Sequence, residues 1–184
     1  MTENRAKIIF LVLAAVFSFF ARLLPHAPNF APIGALAIMA GTYLPKRYAL
    51  FLPLVVMLAA DYFIGFYNIK VMLAVYLSFL LYSLLGSFFG KDRKIEKLTG
   101  GTFLGSILFF IITNFAVWAF TPMYPKDFSG LILSYTLALP FFKNTLLGDL
   151  FYTATFFAVY EFVLSKNLLP KRVVLPSFVK LAKI

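Results

Sequence analysis

Few residues in this chain can do chemistry, and most of them sit inside or beside apolar runs. The 184 residues include one histidine, no cysteine and only seven carboxylates. Asp61, in Ala60-Asp61-Tyr62-Phe63-Ile64-Gly65-Phe66, and Asp149, in Lys143-Asn144-Thr145-Leu146-Leu147-Gly148-Asp149, interrupt otherwise hydrophobic segments. An ionised group in such a segment is costly unless it is paired or hydrated, so each is a candidate to hold a ligand or carry a proton. The plainer reading is an ion pair with Arg22 or Lys143 that only fixes packing. Asn114 and Trp118 stand four apart and share one helix face. Together they suit a ligand stacked by one group and hydrogen-bonded by the other, although Trp118 alone fits an interfacial aromatic belt.

A polar loop pinned between two apolar runs is Arg22-Leu23-Leu24-Pro25-His26-Ala27-Pro28-Asn29-Phe30-Ala31-Pro32. It is stiffened by three prolines, and it places Arg22, His26 and Asn29 beside one another. An arginine fork can grip a carboxylate or phosphate, and it can equally snorkel to lipid headgroups. A single histidine without cysteine or clustered carboxylates is a poor metal site, so no metal and no cofactor is expected. Gly86-Ser87-Phe88-Phe89-Gly90-Lys91-Asp92 has three residues between its glycines and Asp where a phosphate-binding loop needs Ser or Thr. Its glycines, and Gly101 and Gly105, instead suit close helix packing.

The elements that must position these residues are membrane spans. With 62% hydrophobic and 13% charged residues, the chain has too little polar surface for a soluble domain of its size. Runs of about 20 apolar residues match a hydrocarbon core about 30 Å thick. Spans are expected at 6–24, 32–45, 47–66, 70–89, 99–120 and 142–164, in one membrane domain covering 1–184. The apolar run from Ile8 to Phe20 reads as a retained helix, because Phe19 does not fit the small residue a cleavage site wants. Residues 121–141 read as an outer lid, interfacial or re-entrant, and 165–184 as a basic tail.

The net charge of +10 follows a topological pattern. Arg5, Lys7, Lys46, Arg47, the cluster from Lys91 to Lys97 and the tail fall on one side, whereas only Arg22, Lys70, Lys126 and Lys143 fall on the other. Positive residues mark the cytoplasm, so both termini are expected there, in the inner membrane of a prokaryotic cell. No basic face of the kind that binds nucleic acid is evident. The fold class is therefore an all-α polytopic membrane protein with six transmembrane helices. Ala14, Ser18 and Ala21 form a small-residue stripe on the first helix, which suits either internal packing or docking of another membrane subunit.

The run from Arg22 to Ala37, with Asp61-Tyr62-Phe63-Ile64-Gly65-Phe66, resembles a family of small transport proteins related to the substrate-binding (S) components of energy-coupling-factor (ECF) transporters. The likeness covers about residues 6–164. It implies capture of a vitamin-like micronutrient from outside, with energy supplied by a transmembrane coupling subunit and ABC-type ATPases. It also implies docking of that subunit on the first helix, where Ala14 and Ser18 have the spacing, with Ser in place of the second Ala. The chain begins Met1-Thr2-Glu3 and lacks cysteine, which disfavours the metal and cobalamin substrates of some S components. Arg22, His26, Asn29, Asp61, Asn114, Trp118, Asn144 and Asp149 are the expected ligand-binding residues, and none is expected to be catalytic. The alternatives are a proton-coupled secondary transporter using Asp61 or Asp149, and a small intramembrane enzyme. No inverted repeat of the kind many secondary carriers show supports the first, and the second would need converging acid and base groups.

Overall fold

The computed structural model of the chain describes residues 3–90 and 94–165, so Lys91, Arg93 and nearly all of the expected tail lie outside the described residues. Among the described residues every regular element is helical: α1 Glu3–Leu23, α2 Ile33–Tyr43, α3 Lys46–Ile64, α4 Ile69–Phe89, α5 Ile95–Phe120 and α6 Phe128–Ser165. Four of them, α3 to α6, are long and apolar enough to cross a membrane. Large apolar side chains such as Leu13, Val55, Leu73 and Phe151 are more than half exposed, as a bilayer permits and water does not.

The 11-residue α2 stands at the centre and touches all five other helices. Ile33 to Gly41 are buried on every side, which is why this segment is apolar all round. Glycine lets the backbones approach. A Cβ on Gly86 of α4 would lie 2.2 Å from the Ile38 carbonyl oxygen, and one on Gly41 would lie 2.0 Å from that of Ser83. The α2–α4 contact is therefore backbone on backbone, with Ser87 Oγ donating to the Gly41 carbonyl at 3.1 Å.

Connections gather at two ends. At the end called the roof lie the α1–α2 loop, the α3–α4 turn and the α5–α6 turn. Asn68 caps α4 by accepting from the amides of Lys70 and Val71, and its side-chain amide donates to the Phe120 carbonyl at the end of α5. Lys126 donates to the carbonyls of Trp118 and Thr121, closing the same helix end. α1 runs antiparallel to α6, with Phe10 against Tyr160 and Phe17 against Tyr152. Glu3 and Ser165 thus lie at the end opposite the roof.

The expected lid over 121–141 is a correction. Only 121–127 form the connection, and from Phe128 onward the chain is helix, continuous through Pro140 into the final span. Asp127 starts it by accepting from the Gly130 amide at 2.7 Å and the Ser129 hydroxyl at 2.8 Å. Pro140 removes one backbone donor without ending the helix, a tolerance common in membrane helices. Residues 128–142 lie along α5, where Tyr135 Oη donates to the Ile111 carbonyl and the Phe110 ring meets Tyr135 and Phe142.

For the small-residue stripe on α1, the structure favours the packing reading over docking. Ala14 is 5% exposed, Ser18 is fully buried and Ala21 is partly buried, so the stripe packs within the protein. The face α1 presents outward carries Ile9, Val12, Leu13 and Val16 instead.

Candidate functional site

A cavity of about 200 Å³ opens at the roof. The loop after α1 builds its mouth. Phe30 N–H donates to the Ala27 carbonyl at 2.9 Å, closing a turn with Pro28 second and Asn29 third. Asn29 has φ 63°, the left-handed value this turn position requires and asparagine tolerates. The turn is fastened to α6, because Asn144 Nδ2 donates to the Pro28 carbonyl at 3.1 Å and Phe30 packs on Tyr152.

Two carboxylate clusters support the cavity. Asp61, 1% exposed, takes a 2.5 Å bond from Arg22 Nη2 and a 2.8 Å bond from Tyr76 Oη. It holds Arg22, which lines the cavity and whose buried Nε has no hydrogen-bond partner. Tyr67 lies beside them in the α3–α4 turn. Partial burial pushes its phenol up to about 12, and the Asp61 charge adds to the rise, so it stays a neutral hydroxyl.

Asp149, 4% exposed, lies on the cavity wall. Its Oδ2 accepts from Tyr82 Oη and, at 2.8 Å, from Ser106 Oγ. Its Oδ1 accepts no hydrogen bond among the described residues. Gly34 makes room for it, since a Cβ there would lie 2.2 Å from Oδ1. Thr145 stands one turn before Asp149 on the same face of α6 and also lines the cavity. Val75, Phe79 and Tyr82, spaced i, i+4 and i+7 on α4, supply a mostly aromatic wall that Phe109 of α5 completes.

Of the expected ligand-binding residues, Arg22, Asn29 and Asp149 meet in this cavity, and Asp61 holds Arg22 in place. The other four do different work. His26 is exposed, and its Nδ1 is 2.6 Å from the Leu24 carbonyl. Asn144 fastens the roof turn. Asn114 donates to the Phe110 carbonyl of its own helix at 2.7 Å. Trp118 Nε1 donates to the Pro125 carbonyl at 2.9 Å, fixing the α5–α6 turn. At about 100° per residue, Asn114 and Trp118 point about 140° and about 180° away from Phe109, the α5 residue on the cavity. Tyr82, Ser106, Phe109 and Thr145 escaped the sequence reading. Thr145 carried a signal, its i, i+4 spacing to Asp149, whereas nothing distinguished the aromatic residues from their many apolar neighbours.

Among the described residues no group of three His, Cys, Asp or Glu could hold a metal. Fold and site together define a helical protein, with helices apolar enough to cross a membrane, that carries a small aromatic-walled polar cavity at one end. The chain belongs to a family of unknown function, DUF6580, whose model matches residues 2–173. No curated protein and no solved structure matches it.

Proposed function

We propose that this protein is the substrate-binding membrane subunit of a micronutrient uptake transporter, taking its ligand from the outer face at the roof cavity. The observation that carries the reading is the cavity itself, whose charged groups are held by other residues yet keep hydrogen-bonding capacity. Arg22 lines the cavity while held by Asp61, and Asp149 keeps Oδ1 unbonded among the described residues. A few fixed polar groups in a mostly apolar cleft are what orient a small ligand. The resemblance to S components supports the same role, with both termini cytoplasmic and energy from a coupling subunit with ABC-type ATPases. Such a subunit would meet outward-facing residues rather than the buried Ala14–Ser18 stripe. Binding, not turnover, is the proposed activity.

The test is native mass spectrometry of the purified protein, with denaturing extraction to identify any small molecule retained. A stoichiometric organic ligand that is lost in Arg22→Lys is expected, because lysine keeps the charge for Asp61 but not the guanidinium fork. An empty protein, with no uptake of any compound when the chain is expressed with its cellular partners, would sink the proposal.

One observation favours a second reading. Asp149 has no cation at ion-pair distance among the described residues, whereas Asp61 is held by Arg22. A proton carrier would therefore be Asp149. That reading requires uptake by this chain alone in liposomes, stopped by collapsing the proton gradient or by Asp149→Asn.

A further inference from the structure

We propose that a groove between α1 and α3, at the end opposite the roof, holds one anionic phospholipid, with an acyl chain along the groove and the phosphate beside Lys7, Lys46 and Arg47. This site is separate from the roof cavity and does not depend on what that cavity binds.

The groove exists because two helices part. α1 and α3 meet toward the roof, where Phe19 packs on Phe63 at 5.8 Å and Arg22 bridges to Asp61. Toward their starts they flank a groove of about 930 Å³, bounded also by Thr42 to Pro45 at the end of α2. That volume lies at the upper end of the range for ligand pockets, about 300–1,000 Å³. Tyr48, Phe51, Leu52 and Val55 line it from α3 with the i, i+3, i+4, i+7 spacing of one helix face, and Ile8 lines it from α1. Tyr48, Phe51, Val55 and Ile8 are each more than half exposed, so this apolar wall is uncovered.

Length points to an acyl chain rather than a partner helix. From Lys46 to Val55 α3 rises about 13 Å, close to the roughly 15 Å of hydrocarbon in one leaflet. A helix of another subunit would need a seam across the full core of about 30 Å, and the Phe19–Phe63 contact closes this one. Charge points to an anionic headgroup. Lys7 is the one charged residue among the described residues lining the groove. Lys46 and Arg47 stand exposed between Pro45 and Tyr48, which both line it. No acidic residue occupies the first turn of α3. Two cations at a helix start oppose the positive end of its dipole, a repulsion that a bound phosphate offsets. Tyr48 supplies the amphipathic ring that suits headgroup depth.

The test is native mass spectrometry of the full chain in detergent, mixed with equal amounts of phosphatidylglycerol and phosphatidylcholine that share the same acyl chains. One phosphatidylglycerol per chain should remain bound, preferred about tenfold or more over phosphatidylcholine, as basic side chains near a headgroup allow. Replacing the pair, Lys46→Gln with Arg47→Gln, should cut that preference to about threefold or less. Val55→Trp should displace the lipid by filling the groove, whereas Leu73→Trp on α4 should leave it bound. Both positions are more than half exposed, so both variants should keep the thermal midpoint within a few degrees of the parent. Equal retention of the two lipids, or undiminished retention in Val55→Trp, would overturn the proposal. So would a lipid-free dimer that Val55→Trp dissociates, since a second copy would then fill the groove.

Discussion

Gly34 and Asp149 show how little freedom the cavity has. Any side chain at position 34 must displace the Asp149 carboxylate, which is already held by Tyr82 and Ser106. Gly34→Ala should cost about 1–3 kcal/mol, as overpacking does, and should lower the thermal midpoint in detergent together with ligand retention. An unchanged midpoint would mean that Asp149 has somewhere else to go. These residue-scale relations were only half legible in the sequence. Asp61, Asp149, Arg22 and Asn29 were visible because polar groups in apolar runs announce themselves. Asn114 and Trp118 were equally visible and lie elsewhere, because a shared helix face says nothing about where that face points. Tyr82 and Phe109 were hidden for the opposite reason, since a chain with 24 Phe and 10 Tyr gives no aromatic residue special weight.

Between elements, the α2–α4 contact and the start of α6 carry the sharpest expectations. Gly41→Ala and Gly86→Ala place a methyl group within about 2 Å of opposing backbone, so both should express poorly or unfold at lower temperature. Gly100→Ala is the control, since nothing lies within 4 Å of its added carbon. Equal behaviour of all three would contradict the close approach. The Gly86–Gly90 spacing pointed to a close helix approach without naming α2 or Gly41 as its partner, whereas the continuity of α6 was masked by Pro122, Pro125 and Pro140. Only the pattern Asp127-Phe128-Ser129-Gly130 marked a helix start there. The cap is pH-dependent with a definite sign. The Gly130 amide and the Ser129 hydroxyl lower the Asp127 carboxyl below its usual 3.8, so the cap is in place above that value and is lost as pH falls through the lowered one. Exchange protection of the Gly130 amide, corrected for intrinsic rate, should be flat from neutral pH down to the 3.8 reference and fall below it. Asp127→Ala should lack that protection throughout.

Taken whole, the molecule is a bundle whose two ends differ in kind. The roof has cavity, turns and staples, and the opposite end has the basic residues Lys46 and Arg47. The absence of cysteine makes the proposed orientation directly measurable. With single replacements in intact cells, His26→Cys and Met123→Cys should react with a membrane-impermeant maleimide, and Arg47→Cys should react only after permeabilisation. The reverse pattern would invert the protein and with it the direction of capture. The Arg22–Asp61 bridge reaches beyond this single chain. Asp61 is 1% exposed, and a buried carboxylate stripped of its cation typically costs about 3–5 kcal/mol, so neither position can drift alone although they stand 39 positions apart. Among related chains the two sites should therefore be inherited as one unit, either both kept or both exchanged for apolar residues.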